Sequence, residues 1–367
     1  MPLCDHRSVD LDLVLLGTAA SAPTAQRAPA ALLVRRGGER LLVDCAEGTQ
    51  RQLLRSQVGL PELTDIFLTH FHADHILGLP GLLKTFALRG RDLPLAIHGP
   101  PGLERTMATL RAIYGRLSYP VQLVELEPGD SLRRDGYELR AFALDHGVAA
   151  IGYALVEDER PGRFDPAAAD RLGVPNGPAR GALQHGQAVT LDDGTRIHPR
   201  EVVGETRPGR KLVLAGDTAP SAAVVAAAEG ADVLVHEATF SEEERERAVE
   251  TRHSTALDAA RVGLAAGVKL LVLTHLSGRY FGPEIAREAR AVFPATVVPR
   301  DFDVIAIPFP ERGGPELVKG GAAPEERPRR PEAAGDGAAA GDLPAEPSAE
   351  PPAESPDEPP VDGDPGA

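Results

Sequence analysis

Phe67-Leu68-Thr69-His70-Phe71-His72-Ala73-Asp74-His75-Ile76-Leu77-Gly78-Leu79 decides how the rest of the chain is read. Ile66, Phe67 and Leu68 form an apolar run that reads as a buried strand. Side chains two apart in an extended segment point the same way, so His70 and His72 can reach one cation together. Asp74 and His75 follow where a helix is expected to begin at Ile76, and the free N–H groups of such a start favour a carboxylate. Burying three imidazoles and a carboxylate here without a cation would leave costly unpaired polar groups. The segment therefore predicts a metal site, and ligands offered to both sides suit two adjacent ions.

A two-ion site takes about three protein ligands per ion, so more must come from elsewhere. His146 closes one apolar run (Leu144-Asp145-His146-Gly147), Asp217 another (Ala215-Gly216-Asp217-Thr218) and His275 a third (Leu273-Thr274-His275-Leu276). Strand ends are where open α/β sheets gather ligands. Apolar patterning places strands at 11–16, 31–34, 40–45, 66–68, 95–98, 137–144, 151–156, 211–215, 233–236, 270–273 and 302–307. Helices are expected at 51–56, 76–88, 103–114, 221–229, 242–250, 255–266 and 283–292. Strands alternating with helices in the second half predict a layered α/β fold. Core patterning fades across 157–208, an excursion of the kind that is functional or a linker. From residue 313 Pro, Ala, Glu and Gly dominate, and 313–367 reads as a disordered acidic tail on a domain of 1–312.

The chain has 367 residues and a net charge of −15. Thirteen acidic against four basic side chains give the tail −9, which leaves −6 for the body. A mildly acidic body still accommodates a local basic patch, so overall charge does not exclude a nucleic-acid substrate. No apolar run is long enough to span a membrane, and the first residues show no secretory pattern. Two cysteines, Cys4 and Cys45, make no disulfide framework, and the expected compartment is the cytoplasm. Cys45, at a strand end, reads as a small core residue. His6, His98, His185 and His198 lack a supporting pattern.

His70-x-His72-x-Asp74-His75 resembles the signature of the metallo-β-lactamase superfamily. Within it, several stretches are similar to ribonuclease Z, the tRNA 3′-processing endonuclease family. They are Leu16-Gly17-Thr18 with Pro23 and Arg27, 44–50 (Asp-Cys-Ala-Glu-Gly-Thr-Gln), 69–83, His236-Glu237-Ala238-Thr239, His253-Ser254-Thr255-Ala256, and Thr274-His275 with Arg279-Tyr280. Ala46 and Gly278 depart from the usual residues of that family. The resemblance implies a four-layer αββα sandwich and two Zn2+ ions per subunit, with Mn2+ or another divalent metal as alternatives. By the same resemblance His70, His72 and His146 bind one ion, Asp74, His75 and His275 the other, and Asp217 bridges. It makes 157–208 a flexible arm that grips tRNA, with Gly177-Pro178 as its signature element, and it implies a homodimer. Arg163, Arg171 and Arg180 are plausible phosphate contacts, although carboxylates outnumber arginines in the arm.

The expected chemistry is cleavage of precursor tRNA to a 3′-hydroxyl and a trailer with a 5′-phosphate. Divalent ions lower the pKa of water towards about 7 and screen the phosphodiester. Asp74 orients the water or takes its proton, His253 protonates the departing oxygen, and Glu237 orients His253. A small-molecule phosphodiesterase or lactonase is the alternative, and a non-catalytic RNA-binding protein the third reading. The long arm disfavours the former and the complete set of seven ligands the latter.

Overall fold

The computed structural model describes residues 10–320 apart from 57, 61 and 62. Cys4, His6 and residues 321–367 of the expected tail lie outside the described residues. The first half lays down β1 (Leu11–Gly17), β2 (Ala31–Arg36), β3 (Glu39–Val43), α1 (Thr49–Arg55), β4 (Asp65–Phe67), α2 (Ala73–Ile76), α3 (Leu79–Leu88), β5 (Leu95–Gly99), α4 (Leu103–Tyr114) and β6 (Val121–Glu125). A second sheet opens with β7 (Ser131–Arg134), β8 (Tyr137–Ala143) and β9 (Ile151–Glu157). The arm follows, with α5 (Pro166–Arg171), α6 (Pro178–Gln184), β10 (Val189–Thr190) and β11 (Arg196–Ile197). The chain then returns through β12 (Lys211–Leu214), α7 (Ala222–Ala228), β13 (Val233–Glu237), α8 (Arg245–Thr251), α9 (Ala256–Ala266), β14 (Leu270–Thr274), α10 (Gly282–Arg290) and β15 (Thr296–Val297). It ends in β16 (Val304–Ala306) and β17 (Glu316–Val318).

Strand order is β17-β16-β1-β2-β3-β4-β5-β6 in one sheet and β15-β14-β13-β12-β9-β8-β7 in the other. Alternation along each strand explains the layers, because successive side chains face opposite ways. Leu212, Leu214, Val233, Val235 and Val272 of the second sheet pack between the sheets against Leu13, Leu15, Leu41 and Val43 of the first. Their neighbours Val213, Leu234, Leu271 and Leu273 face outward onto α7, α9 and α10. Leu16, Leu33, Leu42 and Ile66 likewise pack on α1, α3 and α4. The result is the expected αββα sandwich.

Three expectations need correction. The helix expected over 76–88 starts earlier, at Ala73, and is broken at Gly78. There the N–H donates to the Cys45 carbonyl at 2.9 Å, and a Cβ would fall 1.9 Å from the Ala46 oxygen. The disordered tail does not begin at 313, because β17 pairs antiparallel with β16 (Val304↔Val318). Nor is the arm without a core: Ala168, Ala169, Val174, Leu183, Ile197 and Val202 bury one another there. Among the strands that were not expected are β6 and β7. Both are edge strands with half-buried patterns, so their apolar signal is diluted.

Candidate metal centre

The candidate residues gather at the C-terminal ends of strands from both sheets. His70, His72, Asp74 and His75 follow β4, His146 follows β8, Asp217 follows β12, and His275 follows β14 directly. The two sheets meet here through backbone: Ile151 N–H donates to the Thr69 carbonyl at 2.9 Å, and the Tyr153 hydroxyl to the Leu68 carbonyl at 2.7 Å. Asp74 sits in the first turn of α2, as the helix start required.

Two triads result. His72 Nδ1 lies 3.1 Å from His70 Nε2 and 3.1 Å from His146 Nε2. Opposite them, Asp74 Oδ2 is 3.7 Å from His75 Nε2 and 3.3 Å from His275 Nε2. Asp217 Oδ2 faces both groups, at 3.9 Å from His70 and His146 and 3.4 and 3.3 Å from His75 and His275. All seven expected ligands are thus brought together.

The donor chemistry fits divalent cations. His75 Nε2 is buried without a hydrogen-bond partner, while its Nδ1 pairs with Asp44 Oδ2 at 2.8 Å. A ring whose far nitrogen is held by a carboxylate is the usual setting of a metal-ligating histidine. Burial and the neighbouring His75 push the His70 pKa down to about 2, which keeps that ring neutral. Burial also lowers the pKa of His146. Burial would raise the Asp217 pKa, yet the charges of His275 and His75 hold it well below the usual range. At His75 burial opposes charge, but Asp217 and Asp44 prevail and lift the pKa. The carboxylates call for positive charge at this place, and a proton or a divalent cation supplies it.

Beside the triads stands a second pair. His253 Nδ1 is 2.7 Å from Glu237 Oε1, and its ring stacks on His275 with centroids 5.6 Å apart. Burial disfavours charge on His253, but the hydrogen bond and charge of Glu237 outweigh it and bring the pKa up to about 9. Glu237 is itself 1% exposed and accepts from the Thr218 N–H at 2.9 Å and the Thr239 hydroxyl at 2.5 Å.

Sequence reasoning missed two supports. Asp44 accepts from His75, from the Thr69 N–H at 2.8 Å and from the Thr69 hydroxyl at 2.9 Å. Its position at the end of β3, level with the other strand-end residues, was the available signal. Thr239 Oγ1 lies 2.9 Å from His275 Nδ1 and so links that ring to Glu237. Cys45 is fully buried, and burial pushes its thiol up to about 12, so it is inert packing.

The arm candidates sit apart, on the arm's own small core. Arg163 and Arg171 are exposed, Gly177 has φ +110°, and Pro178 opens α6. Arg180 is instead a brace. Its guanidinium donates to the Val174 carbonyl at 3.1 and 2.8 Å and pairs with Asp170, so it is already engaged within the arm. No helix among the described residues is long and apolar enough to cross a membrane.

A family model described as the metallo-beta-lactamase superfamily matches residues 25–157. The chain is 48% identical over 301 residues to ribonuclease Z of Gemmatimonas aurantiaca, covering 81% of this chain and 96% of that one. It is 50% identical over 271 residues to ribonuclease Z of Myxococcus xanthus, covering 74% and 88%. Among solved structures it is similar to human tRNase Z, short form, at a TM-score of 0.60 and 29% identity over 81% of this chain and 99% of that chain. A metallo-beta-lactamase fold protein from Bacillus subtilis, TM-score 0.61 and 19% identical over 82% of this chain and 100% of that chain, shares the fold. With near half of its residues identical along almost the whole length of such relatives, the chain belongs to the ribonuclease Z family, endoribonucleases built on the metallo-β-lactamase fold.

Proposed function

We propose that this protein removes the 3′ trailer from precursor tRNA as a zinc-dependent endoribonuclease, leaving a 3′-hydroxyl on the tRNA and a 5′-phosphate on the trailer. His70, His72 and His146 would hold one ion and Asp74, His75 and His275 a second, with Asp217 facing both groups. The observation that carries this is one oxygen, Asp217 Oδ2, lying 3.3–3.9 Å from four imidazole nitrogens drawn from both triads. Divalent ions bound there supply Lewis acidity, which lowers the pKa of water and neutralises phosphodiester charge.

The chain's own groups handle the protons. As the water oxygen bonds to phosphorus, the Asp74 carboxylate orients the water and accepts its proton; the Ser21 N–H, 2.9 Å from Oδ2, holds that carboxylate in place. As the bond from phosphorus to the tRNA 3′ oxygen breaks, protonated His253 delivers its proton to that oxygen. Glu237 fixes the ring and keeps it charged near neutral pH. The arm, with exposed Arg163 and Arg171, grips the RNA away from the cut.

Incubating the pure protein with a precursor tRNA tests this. One cut is expected at the trailer junction, abolished by chelator and restored by Zn2+ or Mn2+, from a preparation that sediments as a homodimer. Deleting residues 159–204 should abolish that cut yet spare a small chromogenic phosphodiester; equal survival of both activities would refute the tRNA reading.

A further inference from the structure

The arm leaves the second sheet at the end of β9 and returns at the start of β12. Its two stalks form a ladder: Arg160 N–H donates to the Arg207 carbonyl at 2.7 Å and Arg207 N–H to the Arg160 carbonyl at 2.8 Å. Higher up, Asp165 N–H reaches the Val202 carbonyl at 2.7 Å and Gly204 N–H the Arg163 carbonyl at 2.9 Å. The stalks touch so closely that a Cβ on Gly162 would lie 1.9 Å from the Gly204 oxygen. A two-stranded ladder by itself is only marginally stable, and nothing in it fixes its direction.

The direction is fixed by residues from the other sheet. Past β16, Phe309 is 8% exposed, and the guanidiniums of Arg160 and Arg210 lie 3.6 and 4.0 Å from its ring centroid. Arg160 lies in the outgoing stalk and Arg210 just past the end of the returning one. Two residues on, Glu311 Oε1 accepts from Arg160 at 2.6 Å and from Arg207 at 2.7 Å, one from each stalk. Beneath them Arg210, 1% exposed, donates to the Ile307 carbonyl at 2.9 Å. Its Nε and Nη2 reach the Glu157 carboxylate at 2.7 and 2.8 Å. Arg36 of β2 ties the same carboxylate to the first sheet at 2.9 Å.

We propose that Phe309 and Glu311 are positioning residues for the RNA substrate: they aim the arm by fastening both of its stalks to the segment that follows β16. The inference rests on the arm being the part that grips RNA. Neither side chain belongs to the metal centre, so their loss should be felt in substrate capture and not in the chemical step.

The test measures steady-state kinetics of the full-length enzyme on precursor tRNA and on a small chromogenic phosphodiester. Phe309→Ala and Glu311→Ala should each raise KM for precursor tRNA about tenfold, since each removes contacts at the roots of both stalks. Turnover of precursor tRNA at saturation and of the small phosphodiester should stay within about twofold, which reports an intact fold and centre. Phe309→Tyr, which keeps a ring between the guanidiniums, should restore KM. Unchanged KM in both alanine variants would overturn the proposal, as would a parallel fall of both activities. The deletion of 159–204 separates the two readings. If the deletion abolishes precursor cleavage and the alanine variants leave KM unchanged, the arm grips RNA but this segment does not aim it. If the deletion too leaves precursor cleavage intact, the grip and the aiming fall together.

Discussion

Asp44→Asn is the most informative single change at the centre. The Asp44 carboxylate is 5% exposed and accepts from three buried donors: His75 Nδ1 at 2.8 Å, the Thr69 N–H at 2.8 Å and the Thr69 hydroxyl at 2.9 Å. Its backbone has φ +58°, a left-handed conformation that Asn tolerates well and most residues do not, so Asn removes charge without adding strain. The amide keeps one acceptor oxygen and turns the other position into a donor, so the His75 N–H and the Thr69 N–H can no longer both be accepted. His75 loses the partner that fixes its tautomer, and loss of such outer partners typically weakens metal binding about 10–100-fold, or about 1.4–2.7 kcal/mol. The mismatch also costs the metal-free fold about 1–3 kcal/mol. Competition against a chromophoric chelator on metal-stripped protein gives the affinity, and urea melts of the same protein give the stability. Wild-type affinity in a folded Asp44→Asn protein would refute the claim that Asp44 holds His75 for a cation.

Glu237→Gln should lower turnover about 100-fold or more while changing KM little, because proton donation by His253 is lost from the chemical step. A raised pKa means that activity requiring protonated His253 is lost as pH rises through that value. Removing the Glu237 charge, the largest influence that raises it, should therefore move the basic limb of the rate profile to lower pH; an unmoved limb would assign that limb to another group. Glu157→Gln should destabilise the protein by about 3–5 kcal/mol, because it leaves the Arg210 guanidinium buried beside an uncharged partner. Burial would raise the Glu157 pKa, but Arg210 and Arg36 hold it below the ordinary 4.5. The stabilisation is therefore present above pH about 4.5 and lost as pH falls through the depressed value. Urea midpoints of wild type and Glu157→Gln measured from pH 7 to pH 3 should converge.

The metal centre was legible because its chemistry is written in residue types. Histidine and aspartate at the ends of wholly apolar strands had one economical explanation, and β12, β13 and β14 announced themselves by being apolar on both faces. What escaped the sequence lacked such contrast. β7, Ser-Leu-Arg-Arg, alternates exposed and half-buried positions at a sheet edge, and four residues of that kind resemble any polar loop. The core of the arm is made of two alanines and single Val, Leu and Ile residues spread over 168–202, too scattered to stand out from the glycine and proline around them. Asp44 offered only its place at a strand end, and one carboxylate there is a weak signal until folding sets His75 against it. β17 was concealed by composition, since Glu316-Leu317-Val318 opens a stretch dominated by Pro, Ala and Glu.

β12 has its first residue at the root of the arm and ends three residues before Asp217. The four residues of β12 span roughly 13 Å of extended chain, locked between β9 and β13. Grip and blade are therefore the two jaws of a caliper whose bar is a buried strand. On the proposed reading, with the arm holding RNA at one jaw, the scissile bond would be chosen by length along the RNA and not by the letters beside it. One molecule so built would trim many different transcripts of a common shape at the same point.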